Sequence, residues 1–274
     1  MPLTVFQRKL LAELATSEGA RERYLAGGAA LHFSPNSVRF SDDLDFFHDT
    51  VARVGRAFDA DRATLEAAGY EIEVGLSIPG FIRAVVSRRG EATRVDWARD
   101  SAWRFMPLAR DALGGFMLHP VDLAVNKILV LAGRDEARYF VDTLFVHRRV
   151  LPLAGLCWAA AGKDPGFTPL SLLELLKRRG RPREEEIRRL NLAEAFDLQA
   201  ARGEWMEALA SAEAFARERP PEELGSLYYS PATNRFALPE PNTSLDAQGL
   251  VLHFGAPGGV VPQVVGNGVG EGEE

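Results

Sequence analysis

The chain has 274 residues, with 32 Lys+Arg against 38 Asp+Glu, a formal charge of −6, 46% hydrophobic residues and one cysteine. At about 150 residues per domain this length allows two modest domains, or one domain with a helical extension, while the lone Cys157 makes neither an intramolecular disulfide nor, alone, a structural zinc site. The negative balance argues against a protein that coats nucleic acid by bulk charge.

No apolar run approaches the roughly 18 residues of a membrane span, and Met1-Pro2-Leu3-Thr4 lacks the basic-then-apolar profile of a signal peptide. A soluble cytoplasmic protein with no membrane partner is the expectation. In chain order, residues 4–17 carry Val5, Phe6, Leu10, Leu11 and Leu14 near helical spacing. Tyr24-Leu25-Ala26 runs into Gly27-Gly28, and Ala29-Ala30-Leu31 turns helical again. A turn at Ser34–Ser37 precedes a strand over 38–47, in which acidic residues alternate with apolar ones. Residues 50–68 read as a helix ended by Gly69. Strands follow over 70–78, 81–88 and 91–97, separated by Pro79-Gly80 and Arg89-Gly90. Beyond Leu113-Gly114-Gly115 the pattern becomes helical, over 120–132, 135–149, 151–162, 169–179, 183–190 and about 200–218. From Pro231 onward the chain is rich in Pro, Gly and Asn, which points to a mobile or surface-strapped tail. A mixed α/β sheet flanked by helices and followed by a helical part is the fold expected, divided as 1–115, 116–230 and 231–274.

Asp43 and Asp45 carry the first chemical signal. On a strand, residues i and i+2 share a face, which brings two carboxylates together about 6.5 Å apart at Cα. Like charges so placed repel, and a hard divalent cation such as Mg²⁺, or Mn²⁺, relieves them while leaving positions for phosphate oxygens. Leu44, Phe46 and Phe47 are read as marking the opposite, buried face. Upstream, Gly27-Gly28 forms a strand-to-helix turn of the kind that admits a phosphate to backbone N–H groups. No Gly-Lys-Ser/Thr follows, so this is no Walker loop. Asp96, in the strand-like Arg94-Val95-Asp96-Trp97, is the candidate third carboxylate. The five histidines are scattered with no zinc-binding spacing, and no Gly-x-Ser-x-Gly elbow is present. Cys157 sits in an apolar helix as a packing residue.

Leu25-Ala26-Gly27-Gly28-Ala29-Ala30-Leu31 followed by Arg39-Phe40-Ser41-Asp42-Asp43-Leu44-Asp45-Phe46 resembles the signature of the AbiEii/AbiGii-type nucleotidyltransferases, within the polymerase-β-like superfamily. A second block, Asp122 to Lys127, Arg134 and then Arg138-Tyr139-Phe140-Val141-Asp142, is similar to the family's second motif, so the resemblance spans residues 20–146. Ala29 stands where the family commonly has Thr, and Tyr139 where an Asp is frequent. The resemblance implies a polymerase-β-like core that moves a nucleoside monophosphate from an NTP to an acceptor hydroxyl. It implies Asp43 and Asp45 as metal ligands and catalytic residues, and Lys127 and Asp142 as further catalytic residues. Gly27, Gly28, Ala29, Arg39, Ser41, Lys127 and Arg134 would bind the nucleotide. It also implies a toxin-like role with RNA, such as tRNA, as acceptor and a co-encoded antitoxin as partner. Transfer to a small molecule or to a protein hydroxyl, and a non-catalytic nucleotide-binding relative, are the alternatives. Lys177-Arg178-Arg179-Gly180-Arg181-Pro182-Arg183, followed by three glutamates, is either a solvated helix end or a guide for an RNA backbone.

Overall fold

The computed structural model describes residues 3–33, 37–113 and 115–263. Part of the turn expected at Ser34–Ser37, the Gly114 step, the two N-terminal residues and the last eleven residues of the tail fall outside them. Thr4 starts helix α1 (Val5–Ala15): its hydroxyl accepts from the Gln7 N–H while the Gln7 side chain accepts from the Thr4 N–H, a capping box. The other end of the Gln7 amide donates to the Ser41 carbonyl at 3.0 Å and the Thr93 hydroxyl at 3.2 Å, which ties α1 to the approach of the acidic strand.

Strand β1 (Tyr24–Ala26) leads into the short helix α2 (Gly27–Leu31), and β2 (Asp43–His48) follows. Helix α3 (Val51–Ala67) ends with Gly69 in the left-handed region at φ +78°, the conformation that closes a helix most cheaply without a Cβ. Strands β3 (Glu71–Ile78), β4 (Phe81–Arg88) and β5 (Glu91–Arg99) form a meander. Short strands β6 (Trp103–Arg104), β7 (Ala109–Arg110) and β8 (Phe116–Met117) complete this half. Among the described residues the main sheet has seven strands in the order β3-β4-β5-β2-β1-β8-β7. Within it β2 runs parallel to β5 and β1 parallel to β8, with the remaining neighbours antiparallel.

The strand expected over 38–47 begins only at Asp43. Residues 38–40 leave the sheet and pair with the chain near Leu192: the Phe40 N–H donates to the Asn191 carbonyl at 2.9 Å, and the Ala193 N–H to the Val38 carbonyl at 2.9 Å. This detour turns Arg39 toward the helical half.

One face of the sheet is apolar and covered by α1 and α3. Leu44, Phe46, Val95, Trp97, Ala84 and Val86 pack there against Leu10, Leu14, Val54 and Leu65. Trp97 stacks with Phe46 and meets Phe58 edge-on at 5.0 Å. Asp61 of α3 is buried in this layer, paired with Arg23 at 2.6 Å and accepting hydrogen bonds from Ser17 and the Trp97 indole. A second core gathers around α4 (Pro120–Gly133), α5 (Ala137–Arg149), α6 (Leu153–Lys163), α7 (Pro169–Arg179) and α9 (Leu198–Glu218), with the short α8 (Glu184–Arg188) at its edge. Between 220 and 263 the chain adds β9 (Leu227–Ser230), β10 (Arg235–Ala237) and β11 (Val251–His253) as a small sheet, and β12 (Ala256–Pro257) pairs with β6. Its Gly259 approaches the Met106 backbone so closely that a Cβ would lie 2.2 Å from it.

Candidate active site

The uncovered face of the sheet carries the acidic residues. Alternation along β2 sends Leu44 and Phe46 into the core and Asp43, Asp45 and Phe47 the other way. Phe47 is thus on the acidic face, lining the cleft, and corrects the expectation that it marks the buried side. The parallel register sets Asp43 beside Arg94 and Asp45 beside Asp96 on β5, while the antiparallel register sets Arg83 of β4 beside Asp96.

These side chains floor a cleft of about 190 Å³ between the sheet and helices α4 and α5, with Gly27 and Gly28 on one wall and Lys127, Val130, Arg134, Arg138 and Tyr139 on another. Three carboxylates, Asp43, Asp45 and Asp96, face six cations: Arg39, Arg83, Arg94, Lys127, Arg134 and Arg138. The local field of the cleft is therefore positive over an acidic floor, although the chain as a whole is negative.

Two of the carboxylates have guanidinium partners. Arg94 pairs with Asp43, supported by the Ser41 hydroxyl, and Arg83 grips Asp96 in a bidentate fork at 2.9 and 2.6 Å. That fork raises the Arg83 pKa, the hydrogen bonds to Asp96 being the chief cause. No hydrogen bond or ion pair reaches the Asp45 carboxylate among the described residues. Burial first, and then the Asp43 charge, push its pKa up to about 6. Asp45 lies against Gly27, which is left-handed at φ +64° and where a Cβ would be 1.9 Å from the Asp45 Oδ2. At Gly28 a Cβ would come within 2.9 Å of both the Arg39 Nη2 and the Ser41 Oγ. The glycine pair is thus required by the close approach of these side chains, in addition to lining the cleft.

Behind the cleft stands a buried ionic knot. Asp142 of α5 is fully buried and accepts from Arg39 through Nε at 2.6 Å and Nη2 at 2.8 Å, from the Lys127 Nζ at 2.7 Å, and from the His32 Nε2 at 2.8 Å. Burial alone would raise the Asp142 pKa, but Lys127 and Arg39 bring it well below the usual carboxylate range, and Asp142 in turn raises the Arg39 pKa against burial. His32 is held below its ordinary value by burial and serves as a neutral donor. Asp142 does not pair with Arg138; that guanidinium meets Glu136 at 2.9 Å and the Tyr139 hydroxyl.

The sequence-derived residues divide accordingly. Asp43, Asp45, Asp96, Lys127, Arg39, Arg134, Gly27 and Gly28 come together around one cleft. Ser41 and Asp142 stand one step behind it, as supports for Asp43 and for Lys127 with Arg39. Ala29 is fully buried in the sheet-side core and does not reach the cleft. Arg83, Arg94, Arg138 and Tyr139 line it without having been singled out as nucleotide-binding residues; Arg94 and Asp96 obey the same two-residue alternation that placed Asp43 and Asp45.

Of the basic stretch, Arg183 is engaged by Glu186 at 2.6 Å, and Glu184 pairs with Arg188 at 3.2 Å. Among the described residues no group of three or more His, Cys, Asp or Glu side chains is gathered closely enough to hold a metal ion, and no helix is long and apolar enough to cross a membrane. A two-carboxylate donor set fits a divalent cation nonetheless. Asp43 and Asp45 share one face, Asp45 has no donor, and its raised pKa is what a neighbouring positive charge would reverse.

No family model and no curated protein matches the chain. Solved structures do. MenT4, a nucleotidyltransferase toxin from Mycobacterium tuberculosis, is similar over 80% of this chain and 84% of its own at 16% identity, with a TM-score of 0.49. JHP933 from Helicobacter pylori is similar over 77% of this chain and 89% of its own at 18% identity, with a TM-score of 0.44. The Megavirus polyadenylate synthase is similar over 53% of this chain and 32% of its own at 13% identity, with a TM-score of 0.37.

Proposed function

We propose that the protein is a metal-dependent nucleotidyltransferase that moves a nucleoside monophosphate from an NTP to an acceptor hydroxyl. The observation that carries this reading is the placing of Asp43 and a donor-free Asp45 on one strand face, inside a cleft that six cations also line. Asp43 and Asp45 would hold a Mg²⁺ or Mn²⁺ ion, which when bound screens the carboxylates and polarises phosphate oxygens. Lys127, held by Asp142, and Arg39 present fixed positive charge to the phosphates, and Arg134 and Arg138 extend it to the mouth. The acceptor oxygen forms a bond to the α-phosphorus as the bond to the β-phosphate oxygen breaks, and pyrophosphate leaves. The hydroxyl proton would pass to the Asp45 carboxylate.

Three features support RNA as the acceptor: the resemblance to the AbiEii-type family, the positive cleft, and the exposed basic residues Lys177, Arg178 and Arg181 at the end of α7. The same resemblance supports a toxin-like role in the cytoplasm, held in check by a co-encoded antitoxin. The test is incubation with each labelled NTP, Mg²⁺ and total RNA, with the Asp45→Asn variant alongside. Label on RNA, reduced by at least about a hundredfold in the variant, is expected. Label on a protein or metabolite would replace the acceptor, and no transfer to any acceptor would overturn the reading.

A further inference from the structure

Tyr139 is a buried aromatic residue placed between two arginines at the cleft. It lies in the first turn of α5, is 6% exposed, and lines the cleft with Arg134 and Arg138. Its hydroxyl accepts from the Arg134 Nη1 at 3.1 Å and from the Arg138 Nη2 at 3.0 Å. The Arg138 guanidinium also stands 4.9 Å from the ring centroid, within the range of a cation–π contact. Arg134 is the residue that caps the end of α4, so one phenol bridges the cap of one helix and the first turn of the next.

The acceptor's lack of charge decides what this arrangement does. A carboxylate at this position would hold the same two guanidiniums more tightly, but it would also neutralise one of their charges where the cleft opens. A phenol oxygen accepts two hydrogen bonds and leaves both charges in place. Among the described residues no cleft carboxylate forms an ion pair with Arg134 or Arg138: Asp43 and Asp96 have their own arginines, although the Asp43 charge is felt at Arg138, and Asp45 pairs with neither. Asp135 and Glu136 lie in the exposed turn that joins α4 and α5, where solvent screens them, although Glu136 meets the Arg138 Nε.

We propose that Tyr139 is a positioning residue for a polyphosphate subsite. It fixes Arg134 and Arg138 at the cleft mouth as two positive charges, the second shared with the exposed Glu136, that receive the outer phosphates of the nucleotide, the part released as pyrophosphate. This assignment rests on the nucleotidyltransfer reading, and its ligand class is an inorganic or nucleoside-linked chain of two or three phosphates.

The test is titration calorimetry of the full-length protein in chelator with inorganic tripolyphosphate and, separately, with AMP. Tyr139→Phe keeps the ring and removes the acceptor, so tripolyphosphate affinity should fall on the order of tenfold, about the weight of the lost hydrogen bonds, while AMP affinity stays the same. Tyr139→Asp should weaken tripolyphosphate binding as well, and with a shallower dependence on salt, because it removes net charge; the Phe variant should keep the wild-type salt slope. In an Arg134→Gln, Arg138→Gln background the Tyr139→Phe effect should vanish, since the tyrosine acts only through those two residues. Phe and Asp variants that bind tripolyphosphate as the wild type does, or a Phe variant that loses AMP and tripolyphosphate equally, would overturn the assignment of Tyr139 and leave the enzyme reading standing. Failure of the wild-type protein to bind tripolyphosphate at all would overturn the polyphosphate subsite, while the nucleotidyltransfer reading stands or falls on the labelled-NTP assay with Mg²⁺. Circular dichroism and melting of each variant exclude unfolding as the cause of a loss.

Discussion

Asp45 occupies a position where function and stability oppose each other. Its carboxylate is largely buried, is crowded by Asp43 and Asp96, has no donor on it among the described residues, and has a folded pKa of about 6 against 3.8 for the free side chain. The folded state therefore holds that proton more tightly than the unfolded chain. The resulting stability is fully present below the unfolded value and is lost as pH rises through about 6, so at neutral pH the ionised residue is a net cost to the fold. Asp45→Asn should make the metal-free protein more stable at pH 7.5, by about 1–2 kcal/mol after allowance for its partial exposure, while abolishing transfer. Urea unfolding of both proteins in chelator measures this; a variant no more stable than the wild type would remove the account of Asp45 as a charge made costly by burial and by its acidic neighbours. Much of this was legible in the sequence, because two-residue alternation alone puts Asp43 and Asp45 on one face. The same alternation, applied to Arg94 and Asp96, identifies the face but not the partner. Which guanidinium meets which carboxylate depends on strand register, and no local signal fixes the β2–β5 register across residues 49–90 between them.

At the scale of the element, long periodic segments were readable and short ones were not. Helices α3, α4 and α7 and strands β3, β4 and β5 fall within one or two residues of their sequence-derived limits, because their apolar spacing repeats several times. Strands β6, β7 and β8, of two residues each, are too short to show any period and exist only through their partners. Asp61 is the instructive residue within α3. In sequence it reads as one more charge on an amphipathic helix, yet the fold buries it against Arg23, Ser17 and Trp97. Burial outweighs their mutual attraction in both members of the pair, lowering the Arg23 pKa and raising that of Asp61, so the pair specifies how α3 seats on the sheet more than it adds stability. Asp61→Asn, which strands the Arg23 charge, should cost about 3–5 kcal/mol, whereas the double change Arg23→Met with Asp61→Leu should cost less. Equal losses in the two proteins, by chemical denaturation, would contradict this.

Over the whole molecule, all five histidines have pKa values lowered by burial: His32, His48, His119, His147 and His253. His48 is the extreme case, at about 4. It is fully buried, with Nδ1 donating to the Glu22 carbonyl and Nε2 without a partner among the described residues. The unfolded chain takes up these protons from about pH 6.5 downward and the native state does not, so stability falls as pH drops from that value toward the folded one. Asp45, Asp61 and Asp122 have raised values and act in the opposite direction, so the His48 contribution is isolated by comparison with a variant. Between pH 7 and 4.5 the wild type should lose about 2–3 kcal/mol more stability than His48→Gln. Parallel curves for the two proteins would show that His48 titrates normally.

The ionic knot at Asp142 has one more consequence, for how a ligand enters. Arg39 and His32 belong to the sheet side of the cleft, Lys127 and Asp142 to the helical side, and all four meet at contacts of 2.6 to 2.8 Å. Swinging the helices away from the sheet would part Arg39 and His32 from Asp142, leaving the buried Arg39 guanidinium without its carboxylate and Asp142 with Lys127 alone, a larger cost than a hinge normally carries. The two walls are thus riveted behind the place where substrate sits. A ligand meets an aperture of fixed width and is selected by fit to it, and what adaptability the site has must lie in the arginine side chains at its rim.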